Sequence, residues 1–343
     1  MKFVIDKNIP FIEGVFEPWA EVVYKDGPEI CRDDLMDADA LVIRTRTRCD
    51  AALLRGTSVK LIATATVSMD NIDQIWCKEH GIFVQNASGC NAGGVSNYVF
   101  SALYGTAARK SISLSGATMG IIGLGAAGTR IEQMALTLGF KTLRYDPWRA
   151  EKEWHTEFHD LDTVLSGSDI VTMHIPVNDN TRGMADADFF DKMKPGAFFI
   201  NTAQGELVVE EDLIRAIPKL GPVALDTWCH EPDINRQLLD LVDIATPHIA
   251  GYTLQGKQIG TSLAIRAVAR FFGLSVLYEF FPTTEILEYQ AVHVDVHDKA
   301  QGQIASIIQY NYPIFTDDFI FRMSPERFSE LRANYSYRRE FYF

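Results

Sequence analysis

A glycine-rich turn between an apolar strand and a helix constrains this chain more than any other feature. Gly123, Gly125 and Gly128 follow the apolar run Thr118–Ile122 and open a segment with apolar residues at helical spacing. A second apolar run then ends in Asp146, where a carboxylate can accept hydrogen bonds from ribose hydroxyls. The glycines permit a tight turn and close backbone approach, and the helix N-terminus offers free N–H groups to phosphates. The pattern predicts a dinucleotide-binding domain.

The acid at the end of that second strand bears on which dinucleotide is bound. Asp146 would repel a 2′-phosphate, which favours NAD over NADP as the cofactor. Arg149 lies close along the chain and could offset that repulsion, so NAD is a preference. The predicted cofactor contacts of this segment are Gly123, Gly125, Ala126, Ala127, Gly128 and Asp146.

Short apolar runs alternate with polar, helix-compatible segments over most of the chain. Four runs, at 3–5, 40–43, 60–63 and 82–84, predict a small doubly wound sheet. Six more predict a full dinucleotide-type domain; they lie near 118–122, 142–145, 170–174, 197–201, 223–227 and 244–245. Long helices are expected from Asn91 to about Lys110 and over Leu254–Phe272. The second long helix could return the chain to the first domain, which would then be discontinuous.

Charge and cysteine content limit the partners and the compartment of the chain. Its 32 Lys and Arg against 45 Asp and Glu give a formal net charge of −13. That acidity disfavours nucleic acid and anionic membrane surfaces as partners. No apolar run approaches the roughly 20 residues that span a bilayer, and early charges disfavour a signal peptide. The five cysteines lack paired or metal-like spacing, so we expect reduced thiols, no metal and a cytoplasmic location.

Three polar residues follow predicted parallel strands, at the edge where open α/β sheets bind ligands. His248 follows the strand at 244–245, Glu231 follows 223–227, and Gln204 follows 197–201. A histidine can take the proton of a hydroxyl while hydride leaves to nicotinamide. A carboxylate on its other ring nitrogen would stabilise the imidazolium. From spacing alone, an ordinary loop histidine remains the alternative for His248.

Four segments carry a resemblance to a known family. They read Gly-Leu-Gly-Ala-Ala-Gly from 123, Asn-Thr-Ala-Gln-Gly from 201, Asp-Thr-Trp-Cys-His-Glu-Pro from 226 and Thr-Pro-His-Ile-Ala-Gly-Tyr from 246. They resemble the D-2-hydroxyacid dehydrogenases, and further segments extend the resemblance over nearly the whole chain. The resemblance implies an enzyme that moves hydride from a 2-hydroxy acid to NAD. It also implies a small phosphorylated hydroxy acid as substrate.

The same resemblance assigns roles to individual residues. His248 would be the acid/base and Glu231 its partner. Asp226, Gly251 and Ile175 stand at cofactor-contact positions. The isoleucine replaces a small polar residue that is frequent there, and this removes one hydrogen bond to the cofactor. The implied substrate contacts are Thr45, Thr66 and Tyr252.

Gln204 is the main departure from the family's pattern, because it occupies the position of the catalytic arginine. An arginine would pair with the substrate carboxylate through two hydrogen bonds, whereas glutamine offers an uncharged amide. Losing one such donor costs on the order of 10²–10³ in rate. Three readings stay open: an active enzyme in which another arginine substitutes, a dehydrogenase for a different 2-hydroxy acid, and an NAD-binding, catalytically impaired relative with a regulatory role.

Three arginines lie two residues apart shortly after a predicted strand. Arg44, Arg46 and Arg48 would share one face if this stretch were extended. We expect them to line the substrate cleft and to hold the phosphate, with Arg44 and Arg46 in contact with substrate. A solvated basic edge is the alternative.

By this resemblance the chain is an α/β protein in three parts. Residues 95–253 would form a Rossmann-type NAD-binding domain. Residues 1–94 and 254–281 would form a discontinuous, flavodoxin-like substrate (lid) domain. Residues 282–343, rich in Tyr and Phe, would form a small α+β C-terminal dimerisation domain, which makes the expected assembly a homodimer.

Overall fold

The computed structural model describes residues 1–153, 157–284 and 290–343, which form two compact units. The first unit comprises Met1–Asn91 and Leu254–Gln290, and the second comprises Ala92–Thr253 and Ala291–Phe343. The three-part division into 1–94 with 254–281, 95–253 and 282–343 stays a prediction. Residues 285–289 of the predicted C-terminal domain and 154–156 of the predicted NAD-binding domain lie outside the described ranges.

Parallel pairing joins the strands of both units. The strands are β1 (Lys2–Asp6), β2 (Glu21–Lys25), β3 (Ala40–Ile43), β4 (Leu61–Thr64), β5 (Phe83–Gln85), β6 (Thr118–Ile122), β7 (Lys141–Tyr145), β8 (Ile170–Met173), β9 (Phe198–Asn201), β10 (Val223–Leu225), β11 (Ile244–Ala245), β12 (Val292–His293) and β13 (Phe341–Tyr342). Parallel sheets need crossover connections, which the intervening helices supply.

Several of the helices begin where a short polar side chain accepts a backbone N–H of the first turn. These caps are Asp50, Asp73, Asp160, Asp186 and Asn235, and each is worth about 1 kcal/mol. The helices are α1 (Arg32–Leu35), α2 (Ala51–Leu54), α3 (Gln74–Glu79), α4 (Ala92–Lys110), α5 (Ala126–Thr137), α6 (Pro147–Glu153), α7 (Leu161–Gly167), α8 (Ala187–Lys192), α9 (Glu210–Ala216), α10 (Arg236–Leu241), α11 (Leu254–Phe272), α12 (Gln301–Asn311), α13 (Ile314–Met323) and α14 (Phe328–Ala333).

The first unit is built on a five-stranded parallel sheet with the order β2-β1-β3-β4-β5. This is the flavodoxin-like strand order. The four apolar runs predicted as strands lie in β1, β3, β4 and β5. The strand β2 was missed, because Glu21–Lys25 mixes charged and apolar residues and lies at the sheet edge with only partly buried side chains. Helix α11 packs on this sheet, where a Cβ at Gly260 would stand 2.5 Å from the Ala65 carbonyl oxygen.

The second unit holds a six-stranded parallel sheet with the order β11-β10-β9-β8-β6-β7. All six predicted strands are present, with ends that differ from the prediction by no more than two residues. The chain runs from β6 to β7 on one side and then to β8 on the other, so the order reverses at β6. Ligands of open α/β sheets bind at the carboxyl ends beside such a reversal. The α/β fold class is therefore confirmed.

Burial on both faces explains why the central strands read as continuous apolar runs. Ile170, Val171 and Met173 of β8 are fully buried. Burying each such side chain stabilises the fold by roughly 1.5–3 kcal/mol. This rigid sheet fixes the positions from which the loops at its carboxyl edge depart.

The C-terminal segment, residues 291–343, packs on the second unit. Ile304 and Ile308 of α12 share a buried cluster with Tyr98 and Leu103 of α4. Strand β13 pairs with β12, and its Phe341 exchanges two hydrogen bonds with the Asn97 side chain, at 2.9 and 3.0 Å. No helix in the described part of the chain is both long and apolar enough to cross a membrane.

Candidate active site

The turn after β6 takes a shape that side chains would prevent. Gly123 has a φ of +92°, and a Cβ there would stand 2.6 Å from the Ile175 side chain and 2.7 Å from the His174 carbonyl oxygen. A Cβ at Gly128 would collide with the Gly123 carbonyl oxygen. By contrast, nothing lies within 4 Å of a Cβ at Gly125, so this face of the turn is open to an approaching group. At the start of α5, Ala126 is exposed and Ala127 is half-buried, and the binding of phosphates here stays a prediction.

The carboxylate of Asp146 stands beside this turn, at the end of β7. One oxygen accepts the Leu124 N–H at 2.9 Å, and the other accepts the Arg149 N–H at 3.0 Å. The Arg149 guanidinium donates to Glu153 at 2.6 and 2.9 Å and to the Leu124 carbonyl at 2.7 Å. Arg149 is thus already paired with a carboxylate, so it is not a free cation for a 2′-phosphate. This arrangement favours NAD.

A histidine that the sequence did not single out lies beneath the glycine turn. His174 has one ring nitrogen 2.8 Å from the Thr172 hydroxyl and the other 3.5 Å from the Thr202 hydroxyl. Desolvation lowers the pKa of His174 to about 3, so the ring is neutral. The ring lies beneath the turn only because the sheet is folded, so no residue spacing in the sequence predicts its position.

His248 and Glu231, which the sequence predicted as an acid–base pair, are in direct contact. The His248 Nδ1 lies 2.8 Å from Glu231 Oε2, and both side chains are largely buried. Glu231 Oε1 accepts the Trp228 N–H at 3.0 Å, which fixes the carboxylate. A carboxylate on Nδ1 sets the tautomer and leaves Nε2 to exchange protons.

A buried carboxylate holds the loop that carries His248. Asp226 accepts the N–H groups of Ile249 and Ala250 at 2.8 and 2.9 Å and the Thr246 hydroxyl at 2.7 Å. Burial raises the pKa of Asp226, against these hydrogen bonds and the nearby His248. Both oxygens therefore already bind the protein. A contact between Asp226 and the cofactor stays a prediction.

Gln204 lies in the loop after β9, next to the loop that carries Glu231. A Cβ at Gly205 would collide with the backbone of Trp228, so the two loops are in close contact. Asn201 fixes the backbone of this loop by donating to the Gln204 carbonyl at 2.8 Å. The Gln204 side chain is half-buried and makes no hydrogen bond to another residue within 1–153, 157–284 and 290–343.

The loop after His248 is packed from both sides. The Gly251 carbonyl carbon is 3.2 Å from where a Cβ at Gly94 would lie, at the start of α4. The Tyr252 ring stacks on Tyr337 at 5.7 Å and meets the edge of Tyr335 at 6.1 Å. Residues of the C-terminal segment therefore hold the predicted substrate contact Tyr252.

The other predicted substrate residues belong to the first unit. Thr66 shares a 2.7 Å hydrogen bond with Thr64, at the end of β4. Residues 45–47 form a turn, so the condition for a common face of Arg44, Arg46 and Arg48 is not met. The chain bends directly after β3, and the predicted contacts of Arg44 and Arg46 with substrate stay predictions. Arg48 pairs with Asp50 at 2.9 Å and points to solvent.

Arg44 instead has a basic neighbour that is distant in sequence. Its guanidinium donates to the Asn8 carbonyl at 2.8 Å, while Thr45 and Arg46 in the turn are exposed. Burial, together with the Arg44 charge, lowers the pKa of Lys257 to about 8. Lys257 lies in the first turn of α11 and was missed, since only the packing of α11 on the sheet brings it near Arg44.

The chain is similar in sequence to a family of known proteins along most of its length. Residues 97–250 match the family described as D-isomer specific 2-hydroxyacid dehydrogenase, NAD binding domain. The chain is 37% identical to the erythronate-4-phosphate dehydrogenase of Bacteroides fragilis, over 99% of this chain and 97% of that protein. It is 36% identical to the Yersinia pestis protein of the same name, over 99% and 93%. The chain belongs to the D-2-hydroxyacid dehydrogenase family.

Solved structures share the fold of this dehydrogenase. One is the NAD-bound 3-phosphoglycerate dehydrogenase of Entamoeba histolytica, with a TM-score of 0.67 and 24% identity over 82% of this chain and 99% of that one. Another is the D-lactate dehydrogenase of Aquifex aeolicus, with a TM-score of 0.61 and 24% identity over 82% and 100%. The predicted enzyme class and cofactor are confirmed: this is an NAD-dependent 2-hydroxyacid dehydrogenase.

The residues of this chain fit NAD. The open face at Gly125 would leave room for the pyrophosphate at the N-terminus of α5, and the Asp146 carboxylate beside this turn would accept ribose hydroxyls. When bound, NAD supplies the acceptor for the hydride of the substrate. How Ile175 and Gly251 meet the cofactor stays a prediction, although Ile175 does lie against Gly123.

Replacing the acid at the cofactor turn should change cofactor preference. We expect Asp146→Asn to weaken NADH binding about tenfold, because the charge-assisted hydrogen bonds to ribose are lost. The preference for NADH over NADPH should also become smaller, because the carboxylate no longer repels the 2′-phosphate. Fluorescence titration with each dinucleotide measures both affinities. Asp162→Asn, an exposed position on α7, is the control and should leave the ratio unchanged. An unchanged ratio in Asp146→Asn would contradict this role.

Proposed function

We propose that this dehydrogenase oxidises 4-phospho-D-erythronate to 2-oxo-3-hydroxy-4-phosphobutanoate, a step of pyridoxal 5′-phosphate biosynthesis. The observation that carries the chemistry is the 2.8 Å bond between His248 Nδ1 and Glu231 Oε2, in the same unit as the glycine turn that is predicted to bind NAD. Support for the substrate comes from relatives named erythronate-4-phosphate dehydrogenase that match 99% of the chain.

The proposed reaction needs one proton transfer from the protein's side. Glu231 holds Nδ1 of His248, so Nε2 takes the proton of the substrate's 2-hydroxyl. The C–H bond at the same carbon then breaks. The hydrogen leaves with both bonding electrons as hydride, and the carbon becomes a carbonyl carbon. Glu231 stabilises the imidazolium that results, and the Trp228 N–H keeps the carboxylate in place.

We propose that the phosphate of the substrate binds residues of the first unit. Arg44, Thr45, Arg46 and Thr66 supply hydroxyl and guanidinium donors at the carboxyl ends of β3 and β4. Lys257 adds a second cation next to Arg44. Two neighbouring cations would attract a dianionic phosphate.

Gln204 favours two other functions, which stay candidates. Without the arginine, the carboxylate pocket could accept a different 2-hydroxy acid. Alternatively, the chain could bind NAD with impaired catalysis and act in regulation. Retention of the His248–Glu231 pair supports the enzyme with the phosphorylated substrate over both.

An assay of NADH formation with 4-phospho-D-erythronate tests the proposal. We expect turnover that depends on the phosphate, so that D-erythronate is a much poorer substrate. His248→Gln should lower kcat by roughly 10²–10⁴, since it removes the general base. A 2-oxo acid acceptor in the assay recycles NADH that is held tightly.

The Gln204→Arg variant belongs in the same assay and separates the candidates. A large gain in kcat/KM would mark the native site as impaired, whereas a loss would mark a site adapted to glutamine. NAD binding without turnover on 4-phospho-D-erythronate, together with turnover of another 2-hydroxy acid, would overturn the proposed substrate.

Lys257 gives the proposed phosphate site a pH dependence. Its pKa of about 8 makes the side chain cationic below that pH and neutral above it. We therefore expect kcat/KM for the phosphorylated substrate to fall above about pH 8. Lys257→Met should raise KM at pH 7 by about tenfold with little change in kcat, whereas Lys257→Arg should keep the low KM and abolish the fall. An unchanged KM in Lys257→Met would remove Lys257 from the site.

We propose further that the protein is a cytoplasmic homodimer joined through residues 282–343. Its five cysteines are free thiols, and the C-terminal segment exposes large apolar side chains, such as Phe319 (64%) and Met323 (66%) on α13. Sedimentation should show a dimer that Phe319→Glu with Met323→Glu converts to a monomer. Ile75→Glu, at a site 74% exposed on α3, should stay dimeric. A native chain that sediments as a monomer would contradict the assembly.

A further inference from the structure

The guanidinium of Arg149 reaches from helix α6 back to the glycine turn, next to the predicted ribose-binding acid. Asp146 joins the same two elements, because it accepts the Leu124 N–H at 2.9 Å and the Arg149 N–H at 3.0 Å. Nη1 of Arg149 donates to the Leu124 carbonyl at 2.7 Å and to the Thr129 hydroxyl at 3.4 Å. An arginine near the ribose-binding acid is the residue type that accommodates a 2′-phosphate in dinucleotide folds. The turn therefore has both an acid that suits NAD and a cation that suits NADP.

Glu153 binds the other edge of this guanidinium. Nε of Arg149 donates to Oε1 at 2.6 Å and Nη2 donates to Oε2 at 2.9 Å, so the pair is bidentate. The Arg149 side chain is only 29% exposed and that of Glu153 35%. Each of the three guanidinium nitrogens thus has an acceptor in the protein. A 2′-phosphate could gain a two-point contact with Arg149 only by displacing one of these acceptors.

The stability of α6 does not explain an acid at position 153. Arg149 precedes Glu153 by four residues, whereas the opposite order is the more favourable one on an isolated helix. Glu153 is also the last residue of α6, where the helix dipole disfavours a negative charge. What Glu153 does contribute is a bidentate partner for the arginine beside the ribose-binding acid.

The charges beside Asp146 would make this place unfavourable for a second phosphate. Asp146 and Glu153 carry two negative charges, and Arg149 carries one positive charge. The other cation of α6, Lys152, lies over the Trp148 ring at 3.8 Å. A dianionic 2′-phosphate would be repelled by the excess negative charge, whereas uncharged ribose hydroxyls would not.

We propose that Glu153 is a cofactor-specificity residue: by holding the guanidinium of Arg149, it keeps that cation from binding a 2′-phosphate and so helps Asp146 to exclude NADP. Asp146 is predicted to act on the ribose directly, whereas Glu153 acts through Arg149. The proposal depends on dinucleotide binding at the glycine turn and is independent of the substrate.

The experiment measures the Kd of NADH and of NADPH by fluorescence titration in the native chain, Asp146→Asn, Glu153→Gln and the double variant. Glu153→Gln should change the NADH Kd by less than about twofold and lower the NADPH Kd about threefold, because Asp146 still repels the phosphate. In the Asp146→Asn background, Glu153→Gln should lower the NADPH Kd about tenfold, because the released guanidinium can pair with the phosphate in two places. The two substitutions should therefore be coupled.

Matched variants test whether the effect comes from this ion pair. Glu151→Gln removes an exposed carboxylate from the same helix, and it should leave the NADH:NADPH affinity ratio unchanged. Arg149→Gln added to the double variant should abolish the gain for NADPH. Glu153→Ala also removes the acceptor, and it should act in the same direction as Glu153→Gln. With 2′,5′-ADP and 5′-AMP as competitors, the gain should appear for 2′,5′-ADP alone.

Three outcomes would overturn the proposal. They are equal changes of the NADH and NADPH Kd in Glu153→Gln, a double variant that binds NADPH no better than Asp146→Asn does, and a gain that persists after Arg149→Gln. These titrations need no substrate, so inactivity on 4-phospho-D-erythronate would sink the proposed function and leave this test intact.

Discussion

The loop that carries His248 depends on its hydrogen bonds to the buried carboxylate of Asp226. His248 has a φ of +57°, a backbone conformation that is uncommon for a residue with a side chain. Such a conformation persists where the surroundings over-determine it. Asp226 does so by accepting the next two N–H groups of the loop, and the His248 N–H in turn donates to the Asp226 carbonyl at 2.8 Å. The direction of the imidazole is thus set by a residue at the end of β10.

The C-terminal segment continues this support on the far side of the loop. The Arg338 N–H donates to the Tyr252 carbonyl at 3.3 Å, and Thr253 donates to Glu340 at 2.6 Å. The Arg338 guanidinium lies 3.2 Å from the centre of the Tyr312 ring, which anchors it. A segment predicted to join two subunits therefore also contacts the loop after His248 within its own chain.

Local patterns in the sequence predicted the parts of the site that depend on local structure. The glycine turn, Asp146 and the central strands each follow from residues that are close in sequence. The edge strand β2 was missed, because its mixed residues carry no apolar run. The common face of Arg44, Arg46 and Arg48 depended on an extended stretch, and no residue pattern predicted the turn at 45–47. Lys257 was missed for a different reason: only the packing of helix α11 on the sheet brings it near Arg44.

The neutral ring of His174 bears on how dinucleotide binding depends on pH. With a pKa of about 3, this imidazole beneath the glycine turn takes up no proton at any pH near neutrality. Dinucleotide association therefore exchanges no proton with solvent through the group that lies beneath its turn. The affinity for the dinucleotide should therefore not change with pH on account of His174.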